Sequence, residues 1–206
     1  MRAGDDAVID VEGLDRLIAL LSEGGFRTIG PVARDGAIVH GEVAGADDLP
    51  AGWHDIQAPG RYRLEQGGDA EIFGWAVGPA SWKSEFFRPS ETIWRASVAD
   101  GALSLRVPPP PDRPVAIVGA RPCELAALDV LDRVLAGGEI PDDRYAARRA
   151  GTVIIAVECG KPSATCFCTS MDTGPDARTG YDLALTELLV GAHLSLIHIS
   201  EPTRPY

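Results

Sequence analysis

The 206-residue sequence predicts an α/β protein: an N-terminal α+β region with hairpins, followed by a small α/β region with parallel strands. Three observations carry this expectation. Two short continuous apolar runs, "VAIVGA" and "TVIIAVE", have the composition of strands buried on both faces of a parallel sheet. Between them, "CELAALDVLDRVLAGG" repeats apolar residues at helical spacing and closes on Gly137-Gly138. Ahead of both, β-rich runs punctuated by glycine mark hairpins.

The elements follow in order. Leu14, Leu17, Ile18, Leu20 and Leu21 recur at helical spacing in "VEGLDRLIALLSEGGF", and Gly24-Gly25 supplies the stop. "FRTIGPVARDGAIVHGEV" holds two β-rich runs around Arg34-Asp35-Gly36-Ala37, a hairpin with Asp-Gly at its tip. "GRYRLEQGGDAEIFGWAVGP" predicts a second hairpin that turns at Gly67-Gly68-Asp69. In "SWKSEFFRPSETIWRA", three large aromatics and Trp94 lie close to Lys83, Arg88 and Arg95. A packed corner, with aliphatic stems of basic residues over rings, is the plainer expectation, and a partner or cofactor contact is the other.

"VPPPPDRP" is too rich in proline for helix or central strand and reads as a stiff, extended connector. It divides an N-terminal α+β region, 1–106, from a cysteine-bearing α/β region, 107–192. Near the end, "GYDLALTELLV" fits a third strand or a short helix, and periodicity does not choose between them.

Composition narrows the function. With a formal net charge of −11, the chain lacks the basic balance of a nucleic-acid binder. No apolar run approaches the roughly 20 residues that span a bilayer, and "MRAGDDAVID" is not a secretory leader, so the expected location is the cytoplasm. Thiols are kept reduced there, and four cysteines then read first as metal ligands or redox groups.

Three of the four, Cys159, Cys166 and Cys168, fall within ten residues of a polar loop. Cys123 follows the first apolar strand and Cys159 the second. If those strands are neighbours, both cysteines stand on the rim where ligands bind in open α/β sheets. Cys166 and Cys168, two apart in an extended segment, would point to one side. Four thiolates around one point suit an iron–sulfur cluster or a zinc ion. A single Cys-x-Cys with two distant partners fits the paired knuckles of zinc less well, and it is not the run of a bacterial ferredoxin either.

Cys123 at a helix start would gain thiolate character from the macrodipole. Arg121 and Lys161, each two residues from a ligand position, would offset negative charge. Buried inert thiols and a thiol-redox catalyst remain as other readings, though the latter would more naturally present Cys-x-x-Cys. No acid/base pair and no phosphate-binding glycine loop can be named, since "GARPCELA" has one glycine where a dinucleotide fingerprint needs three.

The motifs "APGRYRL", "FGWAVGPASWKSEFFRPSETIW", "VGARPCELAALDVLDRVL", "VECGKPSATCFCTSMDTGP" and "GYDLALTEL" together resemble the β subunit of cytoplasmic hydrogenase/sulfur reductase complexes, a family that also has a member in anaerobic sulfite reductase. The resemblance runs from about Leu14 to Leu188. It implies an electron-transfer subunit of an oxidoreductase complex rather than the catalytic one, with flavin-bearing and catalytic sister subunits as partners. Carried over position by position, it implies Cys123, Cys159, Cys166 and Cys168 as ligands of an iron–sulfur cluster, of the [4Fe-4S] type. It also implies a C-terminal ferredoxin-like domain with two further clusters, which this sequence lacks.

The last thirteen residues, "LSLIHISEPTRPY", resemble the in-frame translation of a transposase-type sequencing adaptor. On that resemblance, 193–206 is a non-native tail on an N-terminal fragment, and His193 and His198 are not metal candidates. A zinc-stabilised assembly module without a redox role is the alternative function.

Overall fold

The computed structural model describes residues 6–68, 71–108, 113–189 and 194–199. The protein is α/β. Its centre is a seven-stranded mixed sheet in the order β1-β11-β10-β9-β8-β2-β3. These strands are β1 (Asp6–Asp10), β2 (Arg27–Arg34), β3 (Ala37–Glu42), β8 (Val115–Ala120), β9 (Thr152–Val157), β10 (Leu183–Leu188) and β11 (Leu194–Ile199). Four consecutive strands, β10, β9, β8 and β2, run parallel to one another. Strands from both sides of the proline-rich connector therefore share one sheet. Residues 109–112 of that connector lie outside the described residues, as do Asp69 of the predicted second turn and His193.

Alternation along the parallel strands divides the core into two layers. Val118, Ile155, Val157 and Leu185 face one layer with Leu14 and Ile18 of helix α1 (Val11–Glu23). Ile117, Ile154, Ala156 and Ala184 face the other. There they meet Phe86 of the single-turn α2 (Lys83–Phe86), Leu125 and Leu128 of α3 (Pro122–Leu135) and Tyr145 of α4 (Asp143–Ala150). Both sheet faces are covered, which is why these strands read as unbroken apolar runs.

Local chemistry sets the boundaries. The Asp10 carboxylate caps α1 by accepting from Gly13 N at 2.8 Å. The β2–β3 turn puts Asp35 and Gly36 at φ 52° and 75°, the left-handed pair that a two-residue hairpin requires. Residues 183–188, where periodicity fits strand or helix, form a strand, β10, paired in parallel with β9.

The second hairpin differs from expectation. β5 (Arg61–Gln66) pairs not with the residues after Gly67-Gly68 but with β4 (Trp53–Ala58), which precedes it. Residues 71–77 instead enter the core as irregular backbone: Ile72, Phe73, Trp75 and Ala76 are all buried there. Burying their apolar side chains outweighs the strand pairing that the glycine turn suggested.

The aromatic corner also divides. Trp82 and Phe86 are buried, whereas Phe87, beneath Lys83, and Trp94 are exposed. Beyond Trp94, β6 (Arg95–Ala99) and β7 (Ala102–Arg106) form a hairpin whose every residue is exposed. Its register places Ala96, Val98, Leu103 and Leu105 on one face.

β11, drawn from the segment that resembles an adaptor, pairs antiparallel with both β1 and β10. An alternating apolar string pairs readily with open strand edges, whatever its origin.

Candidate metal centre

β8 ends in a bulge. Gly119 has φ +88° and the β8–β9 register shifts between Val118 and Ala120. A Cβ at Gly119 would stand 3.2 Å from Pro31, so this position favours glycine on both conformation and space. The bulge leads straight into Arg121, the N-cap of α3. Glu124 reaches back to accept from Arg121 N at 2.9 Å, Pro122 occupies the first helical position, and Cys123 follows it.

β9 lies beside β8 in parallel, so Cys159, two residues beyond its end, opens onto the same rim as Cys123. From there the loop runs through Cys166 to a 3₁₀ turn at Cys168–Met171. Cys123, Cys159 and Cys168 are half-buried and Cys166 is exposed; all four thiols are free. The segment holding Cys166 and Cys168 is not extended as expected. Phe167 has φ −139° and ψ 13° and turns its ring outward, because Cys168 already begins the 3₁₀ turn.

Several groups hold this loop in place. Cys159 N donates to Pro175 O at 3.2 Å, and Thr173 N to Cys168 O at 2.9 Å. Cys166 Sγ accepts from Ser163 N at 3.2 Å. Lys161 Nζ lies 3.0 Å from His54 Nδ1, and Thr165 Oγ1 donates to Gln57 Oε1 at 3.4 Å, so the cysteine loop rests on β4. A Cβ at Gly174 would come within 3.2 Å of Cys168 Sγ and 3.6 Å of Pro122, which puts that sulfur close to the start of α3.

Thiol electrostatics correct one expectation. At the Cys123 thiol, burial outweighs any easing toward thiolate at the helix start. The thiol is pushed up to about 11, by burial first and then by the negative charges of Glu124, Cys159, Cys168 and Cys166. Burial also raises Cys159, opposed by the Arg121 charge and the Lys161 N–H. Cys123 and Cys159 thus each feel the charges of the other thiols near the rim. Among the described residues, no three Cys, His, Asp or Glu side chains are close enough to hold a single metal ion.

The donor chemistry suits a thiolate-ligated group. Four sulfurs come from two strand ends and one loop, and backbone N–H groups already point at Cys159 and Cys166. A single tetrahedral zinc, with Zn–S near 2.3 Å, requires the sulfurs about 3.8 Å apart. A cubane places each thiolate on a different iron and tolerates wider spacing.

Sequence reasoning missed the buried loop that Arg121 ties to this rim. Backbone groups of residues 71–77 are satisfied by side chains from three elements. Glu187 of β10 accepts from Ile72 N at 2.7 Å and Phe73 N at 2.9 Å. Asp55 accepts from Ala76 N at 2.6 Å, and Gln57 donates to Val77 O at 3.0 Å. Arg121 donates through Nη2 to Phe73 O and Trp75 O, at 2.6 and 2.9 Å, and through Nη1 to Glu158 O at 2.7 Å. The one signal for it in the chain is an apolar string, "IFGWA", that matches no period.

No known family model, curated protein or solved structure matches the chain.

Proposed function

We propose that the protein is an electron-transfer subunit that carries one iron–sulfur cluster, of the [4Fe-4S] type, on Cys123, Cys159, Cys166 and Cys168. The observation that supports this most is the place of two free thiols, Cys123 and Cys159, just past the carboxyl ends of two adjacent parallel strands, with Cys166 and Cys168 in the loop that follows. When bound, the cluster supplies one-electron chemistry. The chain's own part is to fix the sulfurs, direct N–H groups at them and limit water at the half-buried three. Exposed Phe167 and Met171 beside the ligands offer an apolar approach for a redox partner.

The resemblance in the cysteine motifs supports placing this subunit in a hydrogenase/sulfur reductase or anaerobic sulfite reductase complex, beside flavin-bearing and catalytic sister subunits. Free thiols favour a reducing compartment, the cytoplasm. Among the described residues, no helix is long and apolar enough to cross a membrane.

The deciding experiment is the iron, zinc and acid-labile sulfide content of the chain, expressed with iron–sulfur assembly machinery and purified without oxygen. About four irons and four sulfides per chain are expected. Near one zinc and no sulfide would replace the proposal with a structural zinc module.

A further inference from the structure

Arg121 is 1% exposed. Its guanidinium contacts three neutral carbonyls and lies 4.5 Å above the Trp75 ring, while its Nε has no hydrogen-bond partner. No carboxylate oxygen of the described residues stands within ion-pair distance of it. A buried cation so placed carries a heavy desolvation cost unless negative charge is supplied nearby. The guanidinium is also bonded to the carbonyl of Glu158, which immediately precedes Cys159, and its own residue stands two before Cys123.

Lys161 is the instructive contrast. It sits equally close in sequence to a ligand position, but it is exposed and its ammonium lies against His54. Water screens that charge, whereas the Arg121 charge acts through protein.

We propose that Arg121 is the built-in counter-charge of the cysteine quartet, a positioning residue that biases a cluster held there toward its reduced state. The inference rests on the iron–sulfur reading above. One-electron reduction adds one negative charge to the thiolate-ligated unit, and a fixed buried cation stabilises the reduced form more than the oxidised one.

The test is an anaerobic redox titration of the full chain, followed by EPR and visible absorbance, with Arg121→Gln, Arg121→Lys and Lys161→Gln beside the wild type. The wild type is measured first. If it holds no cluster, the iron–sulfur reading falls and takes this inference with it, before any variant is compared. With a cluster present, Arg121→Gln is expected to lower the reduced-to-oxidised ratio at fixed potential about tenfold, a shift of about 59 mV to more negative values. Arg121→Lys, which keeps the charge but not the fork, and Lys161→Gln are expected to stay near wild type.

If Arg121→Gln fails to fold while Arg121→Lys folds with the wild-type potential, the charge requirement stands. An unchanged potential in Arg121→Gln, equal shifts in the Gln and Lys variants, or failure of both to fold would overturn the proposal and leave Arg121 as a clamp on carbonyls.

Discussion

The imidazole of His40 lies flat on the indole of Trp82, with ring centroids 3.4 Å apart and planes within 6°. Its Nε2 stands 3.9 Å from Glu124 Oε1. Burial keeps His40 neutral down to about 4, against 6.5 for the free side chain. Burial pushes the Glu124 carboxyl up to about 7, against 4.5, opposed by Arg121 N–H, the Trp82 indole and the Arg121 charge.

These shifts have opposite signs in stability. A lowered His loses stability as pH falls from 6.5 to about 4, because the unfolded chain takes the proton first. A raised Glu loses stability as pH rises from 4.5 to about 7, because the folded chain holds the proton longer. Between 4.5 and 6.5 they cancel, so the metal-free protein should show a flat region there. Glu124→Gln should expose a rise of up to about 3 kcal/mol from about pH 4 to 6.5, and His40→Gln a comparable fall from 4.5 to about 7. Urea titrations across pH check this. Parallel profiles for both variants would refute the assignment.

Metal loading should be strongly proton-coupled. With Cys123 pushed up to about 11 and Cys159 raised, both must release protons on binding. Anaerobic reconstitution with ferrous iron and sulfide, read from the thiolate charge-transfer band of the cluster, should gain about tenfold or more in apparent affinity per pH unit between about 7 and 9. Cys123→Ser and Cys159→Ser should each abolish the band.

Glu187 should matter to stability more than its half-exposed position suggests. Its two oxygens answer two amides of the buried loop. Glu187→Ala is expected to cost about 2–4 kcal/mol, since charge-assisted bonds are lost and buried N–H groups are left unpaired. Glu187→Gln should cost less. Chemical denaturation measures both, and a cost below about 0.5 kcal/mol for Ala would show that water replaces the carboxylate.

The β6–β7 hairpin should be the least protected part of the described sheet structure. Two isolated strands are marginal in water, and Arg95 sits directly opposite Arg106, a like-charge pair. Amides of 95–106 should exchange fastest among the strands, and Val98→Thr with Leu103→Thr should change global stability by less than about 0.5 kcal/mol. Hydrogen exchange by mass spectrometry tests the first and thermal unfolding the second.

Much of the fold is legible in the chain where local chemistry and tertiary packing agree. Asp35-Gly36 demands its turn, and β8 and β9 announce themselves as apolar runs because both their faces are covered. The partner of β5 is not legible, because β4, "WHDIQA", mixes polar and apolar residues and commits Asp55, His54 and Gln57 to the neighbouring loop. Cys123 and Cys159 can be placed on one rim from strand order alone. Whether Arg121 or Lys161 reaches the thiols through protein or through water depends on burial, which spacing does not encode.

The clamp between Glu187 and Ile72 spans 115 positions. During synthesis the "IFGWA" string leaves the ribosome long before the carboxylate that answers its amides, and before the arginine that answers its carbonyls. For that interval a strongly apolar stretch has no native seat. Until β10 has been made, that stretch is the part of the nascent chain most open to misassembly.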